Sequence, residues 1–174
     1  MMARLKSVYL KIAGAAAAIA AGAYVLTRDS ASGCSEEAFR KKVVDAARSE
    51  LGKKYLDKYF RDAAPQFVGQ HPSWCGIFAL WSLHQAGLAL AVKWKTGVGF
   101  LRAADITTDP KPGDVAYYDQ YQHQAIVAAV HGDTVDLING NGQGGVVALS
   151  TPLKSKARAY YSIAGYIKAA QENC

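Results

Sequence analysis

Cys75 stands near the start of the most apolar helix-like stretch of the chain, "HPSWCGIFALWSLHQAG" over residues 71–87. A thiol in the first turn of a helix meets free backbone N–H groups and the positive end of the helix dipole, which favour the thiolate and lower its pKa. The same N–H groups can stabilise an oxyanion on a carbonyl under attack. An attacking thiol also needs a base, and the chain holds four histidines. His71 lies in the turn before the helix, and His84 lies nine residues beyond Cys75 on it. His123 and His131 bracket the apolar run "QAIVAAV". In an extended strand these two stand roughly 26 Å apart, so at most one can serve.

The elements that must position these groups fall into two halves. "EEAFRKKVVDAARSEL" (36–51) carries Phe39, Val43, Ala46, Ala47 and Leu51 near helical spacing, with Gly52 as its stop. A polar, aromatic connection with room for one helical turn leads to the Cys75 helix, for which Ser73 is the expected cap and Gly87 the stop. A short helix is expected around 97–103, followed by loop. From Gly113 the period changes, and "DVAYYD", "QAIVAAV", "TVDLIN", "GVVALS" and "YYSIAGYIK" read as five strands separated by turn residues. Helices first and strands second predict an α+β fold, a helical half packed on an antiparallel sheet of about five strands.

Within that sheet the second and third strands form a hairpin through His131-Gly132-Asp133, which puts His131 at the turn. His123 then lies at the opposite end, level with Asn139 and Asn141 of the returning strand. Register decides whether His123 shares their face, because a slip of one residue turns every side chain over. A two-residue loop places His123 and Asn139 on opposite faces; an odd loop or a single bulge brings them together. Only the second arrangement yields a Cys…His…Asn relay. In it His123 takes the thiol proton, the thiolate attacks an amide carbonyl, and an asparagine carbonyl fixes the imidazole tautomer.

Bulk properties narrow the setting. The chain has 174 residues, 51% of them hydrophobic and 20% charged, with a formal charge of +6. Residues 1–33 hold four basic and one acidic residue, so the remainder also carries only +3. No clustered basic stripe is present, which argues against nucleic acid as a partner. Residues 1–33 comprise a basic head, fifteen uncharged residues from Ile12 to Leu26 and a polar exit. They read as a signal peptide or membrane anchor with a linker, with the domain at 34–174 delivered across the membrane. Export implies an oxidising compartment. Cys34 opens the folded part and Cys174 ends it, so a Cys34–Cys174 disulfide is expected, with Cys75 left as the free thiol. No metal-ligand spacing occurs and no cofactor is expected.

The cysteine at a helix opening, followed by "KPGDVAYY" and then "HQAIVAAVHGDTVDLINGN", resembles the papain-like clan, most closely the bacterial CHAP and NlpC-type cell-wall hydrolases. The likeness covers about residues 36–168. It implies a papain-like fold and catalytic Cys75 and His123, with Asn139 as third member and Asn141 as the alternative. CHAP members usually carry an acid where this chain has Asn139. The resemblance further implies Gln70 as an oxyanion donor, although Gln70 lies off the usual offset. Trp74, beside the nucleophile, is the expected substrate contact, and Asp114 of the proline-glycine-aspartate reads as structural. The implied activity is cleavage of peptidoglycan amide bonds, as an endopeptidase or an N-acetylmuramoyl-L-alanine amidase, in wall remodelling, phage lysis or as an antibacterial toxin. The implied partners are peptidoglycan peptide, the membrane if residues 1–33 are retained, and an immunity protein for a toxin. The implied location is periplasmic or cell-envelope. The alternatives are a papain-like enzyme on another substrate and a non-catalytic, membrane-tethered binding module.

Overall fold

The computed structural model describes residues 33–70, 72–88, 94, 99–101 and 104–174. The signal or anchor read from residues 1–33 therefore lies outside the described residues apart from Gly33, as do His71 and most of the helix expected at 97–103, of which a 3-10 turn at Gly99–Leu101 is described. Residues Glu36–Cys174 make one compact unit. Among the described residues it contains four α-helices: α1 (Glu36–Arg48), α2 (Asp57–Ala63), α3 (Cys75–Gln85) and α4 (Ala164–Gln171). Six strands form one antiparallel sheet, β1 (Asp105–Thr107), β2 (Val115–Tyr118), β3 (His123–His131), β4 (Thr134–Asn139), β5 (Ala148–Ser150) and β6 (Ala159–Ser162). Their order across the sheet is β1-β6-β2-β3-β4-β5. The fold is α+β, as the sequence predicts.

Helix α1 is amphipathic, burying Phe39, Val43 and Ala47 at successive turns, with acids in its first turn and Arg48 in its last to match the dipole. Nine of the eleven residues of α3 are buried, from Cys75 to Leu83. Such a helix can only lie inside, and it packs against α1, α2 and β3. Strand β3 is covered on both faces, with Ile126 and Ala128 in the main core and Ala125 and Val127 in a smaller cluster with Val135, Leu137 and Tyr160. That double burial is the reason its sequence is apolar without alternation.

Two elements depart from the expected pattern. "YYSIAGYIK" divides, its first part forming β6 while Ala164–Gln171 forms α4. Ile163 and Ile167, four apart, are both buried, so this stretch follows the helical period rather than the strand period. Strand β1 falls in an expected loop; it is three residues long, pairs among the described residues only with β6 and leaves Ile106 68% exposed, so no alternation signals it.

Glu50 anchors the turn after α1. It is buried, accepts a hydrogen bond from Tyr59 Oη at 2.7 Å and pairs with Lys58 at 2.7 Å and Lys53 at 3.1 Å. Burial pushes its carboxyl up, but Lys58, Tyr59 and Lys53 together lower it to about 2. A depressed acid contributes stability above its unfolded pKa and loses it as pH falls toward the folded value. Unfolding free energy should therefore fall between about pH 4.5 and pH 2 by at most about 3 kcal/mol, because both lysines are half in water. Glu50→Gln should flatten that limb in acid titrations of thermal stability, and an unchanged limb would refute the assignment.

Candidate active site

Cys75 is the first residue of α3, with Trp74 in the cap position at φ −120° and ψ 12° and no side-chain cap. The expected cap, Ser73, has another use. Its hydroxyl lies 3.9 Å from Cys75 Sγ and accepts a hydrogen bond from Asn141 Nδ2 at 3.4 Å. Cys75 is 5% exposed, and it lines a cavity of about 500 Å³ walled by Phe67, Trp94, Tyr121, Gln122 and Gln124.

The hairpin register brings the histidine and asparagine together. His131 pairs with Thr134 across a two-residue turn, which alone would place His123 and Asn139 on opposite faces. A bulge between Val127 and Ala129 changes the phase, and Ala125 pairs with Asn139. His123 lies two residues before Ala125 and shares its face. His123 Nε2 is 3.0 Å from Asn139 Oδ1. Asn139 donates its amide N–H groups to the carbonyls of Leu137 and Ala148 and to Ser150 Oγ at 2.9–3.1 Å, so Oδ1 is the acceptor. Nε2 consequently carries the proton toward Asn139, and Nδ1 is left for the thiol.

The electrostatics of the pair agree in direction. Burial pushes the Cys75 thiol up, but hydrogen bonding to His123, with smaller help from the Gln124 backbone and Ser73, brings it below its ordinary value. Burial pushes His123 down, but its hydrogen bonds to Cys75 and Asn139 hold it above the usual imidazole range. Both shifts favour a thiolate beside an imidazolium. The arrangement can ionise a thiol, present it to a carbonyl and return a proton to a leaving group.

The other candidates are dispersed. His84 lies at the far end of α3, 3.3 Å from Asp62, and His131 bonds Asp136 at the hairpin turn. Gln70 is exposed, and its amide donates to the Gln66 carbonyl at 3.0 Å. Because its loop turns that amide back on itself, Gln70 does not line the cavity at Cys75. Trp74 is 4% exposed and stacks on Tyr59 at 5.5 Å, so it is a core residue rather than a substrate contact, and Trp94 supplies the aromatic wall instead. Asn141 adopts φ 55° and bonds Ser73, leaving Asn139 as the partner of His123. Gly140 between them packs directly on Phe78, where a Cβ would come within 2.4 Å, which draws the end of β4 onto α3. Cys34 and Cys174 are disulfide-bonded and Cys75 is free. Asp114 is buried and structural, bonding Arg40, the Lys111 N–H and the Ile163 N–H.

One site residue has no counterpart in the sequence reading. Gln124 is 1% exposed, and its Oε1 lies 3.3 Å from Cys75 Sγ. Its signal was visible: it is a polar residue at the head of an otherwise apolar central strand, directly after the candidate base.

No curated protein and no solved structure matches the chain. A family model, that of the CHAP domain, matches residues 67–141. CHAP domains are usually hydrolases, amidases or peptidases that typically act on peptidoglycan. The matched stretch runs from the approach to α3 through Asn141 and contains Cys75, His123 and Asn139, so over these residues the chain is CHAP-like, consistent with the papain-like peptidoglycan hydrolases.

Proposed function

We propose that this chain is a cysteine hydrolase that cuts amide bonds in peptidoglycan through a thioester on Cys75. The observation that carries the proposal is the continuous relay from Sγ at the start of α3 through His123 to Asn139 Oδ1. His123 Nδ1 accepts the thiol proton, and the thiolate adds to the amide carbonyl. The oxyanion faces the free N–H groups at the start of α3. His123 then protonates the leaving amine as the C–N bond breaks, leaving an acyl thioester. Water attacks the thioester with His123 as base, releasing the carboxylate and restoring the thiol. Asn139 holds the ring so that one nitrogen faces sulfur throughout.

Delivery fits the same reading. Residues 1–33 would carry the catalytic domain across the inner membrane, as a cleaved signal or a retained anchor, and place it beside the wall. The test is incubation of the full chain with purified peptidoglycan fragments, followed by mass spectrometry. The expected product pair differs from substrate by one water, with a new amine and a new carboxylate. Fragments left intact by a folded chain whose Cys75 alkylates normally would overturn the proposal.

A further inference from the structure

The reacting pair stands between two cavities. Cys75 lines one of about 500 Å³ with Phe67 and Trp94, and His123 lines another of about 530 Å³ with Asn141, Gln143 and Ser150. Tyr121 and Ser73 wall both. The chemistry assigns half of the substrate to each. The acyl group becomes bonded to Sγ, so it must occupy the cavity that Cys75 lines. The leaving amine takes its proton from His123, so it departs into the cavity that His123 lines.

The acyl cavity is built from aromatic rings and carboxamides. Trp94 lies against the first turn of α3 because Gly76 has no side chain; a Cβ there would come within 2.2 Å of the ring. Phe100, fully buried, backs Trp94 with the ring centroids 5.3 Å apart. Tyr121 ends the 3-10 turn Asp119–Tyr121, which Gln122 closes in the left-handed region at φ 46°. That conformation is strained for a residue with a side chain. It holds a tyrosine ring 76% exposed, two residues before the base. Gln120 and Gln122 add their amides to the same lining. A pyranose ring matches such walls. Its C–H bonds present a weakly positive face to the negative face of an aromatic ring, and the hydroxyl and acetamido groups at its edge donate and accept as carboxamides do.

We propose that the acyl half of the substrate is the N-acetylmuramoyl sugar, so that the bond cut is the amide between its lactyl carboxyl and the first L-alanine of the stem. The inference rests on the reading of the chain as a peptidoglycan hydrolase and names the bond. Among the amides that join peptidoglycan building blocks, this one alone carries a sugar on its acyl side; elsewhere the acyl half is an amino acid of the stem or cross-bridge. The thiolate forms the thioester with the lactyl carbonyl as the C–N bond breaks, and His123 gives its proton to the alanine nitrogen. Water then releases the lactyl carboxylate and restores the thiol. The stem peptide leaves past Asn141, Gln143 and Ser150, whose amides and hydroxyl suit a peptide backbone.

The test uses cross-linked muropeptides that still carry their sugars, which hold both kinds of bond in one molecule. The full chain is incubated with them and the products are read by mass spectrometry. The expected products are free sugar ending in the lactyl carboxylate and a peptide dimer, still cross-linked, whose new amine is that of L-alanine. A new amine elsewhere in the stem or cross-bridge, with the sugar still attached, overturns this inference and leaves the proposed function standing. Muropeptides left intact overturn both. Tyr121→Ala removes a ring that stands mostly in solvent, and it should raise KM for the muropeptide by about 3–10-fold with kcat little changed. An unchanged KM would overturn the placement of the sugar against that ring.

Discussion

Replacing Cys75 by serine is expected to abolish amide cleavage, and replacing His123 by alanine to lower it by about 10²–10⁴-fold. A serine hydroxyl in the same place lacks the acidity that lets a thiol ionise beside imidazole, so the geometry survives without a nucleophile. The histidine variant has a second signature. His123 holds the thiol below its ordinary value against the pull of burial, so its removal leaves burial unopposed by its largest counterweight. The thiol midpoint should move upward, past the value of an exposed cysteine. In the unaltered protein the imidazole is raised and the thiol lowered, so the pair should stay active from below the usual thiol range. Peptidoglycan digestion followed by mass spectrometry reads the first effect, and thiol alkylation against pH reads the second. A Cys75→Ser protein that cuts at the original rate would end the thioester mechanism. A His123→Ala protein with an unmoved thiol midpoint would end the role of His123 as base.

The second large effect concerns Asp114, which touches no reacting atom. Its carboxylate is 1% exposed and binds Arg40 Nη1 at 2.8 Å, the Lys111 N–H at 2.8 Å and the Ile163 N–H at 3.1 Å. One side chain thereby joins α1, the start of β2 and the junction between β6 and α4. Asp114→Ala leaves the Arg40 guanidinium buried without its inner partner and two N–H groups unsatisfied. The expected loss is about 3–5 kcal/mol. At this size that corresponds to a fall in melting temperature of roughly 10–20 °C. Below its melting range the variant should alkylate at Cys75 with an unchanged pH midpoint. An unchanged melting temperature would show that the carboxylate is not the junction it appears from its contacts; a shifted thiol midpoint would give it a share in the site.

Much of this arrangement was legible because local rules and tertiary packing agreed. Strand β4 was readable to the residue from "TVDLIN", since its ends are marked by turn chemistry and its apolar residues are β-branched or leucine in a short run, although Leu137 and Ile138 are buried on opposite faces. The sulfur, the histidine and the two asparagines were legible as a group because hairpin length fixes which ends meet. Whether His123 shares their face was not, because it depends on a bulge at Ala128 that an all-apolar strand does not advertise, and the structure selects Asn139 over Asn141 because the chain turns to φ 55° at Asn141 and carries its side chain to Ser73. Trp74 and Trp94 could not be ranked from sequence, since a tryptophan in the core and one on a cleft wall look alike until the packing is seen. Gln70 failed for a related reason: an offset along the chain says how far a side chain can reach, while its loop decides where it turns.

The state of the three cysteines places opposed chemical demands on one chain. A disulfide lasts where oxidants are in excess, and a thiolate in such surroundings is oxidised first to a sulfenic acid. Many proteins rescue that product by condensing it with a second thiol, but here Cys34 and Cys174 are already committed to disulfide bonding. A Cys75 sulfenic acid would have no resolving partner within the chain, and further oxidation would be irreversible. The near-complete burial of the sulfur then acts as chemical insurance, limiting the approach of an oxidant to a nucleophile that its histidine partner has made more easily ionised.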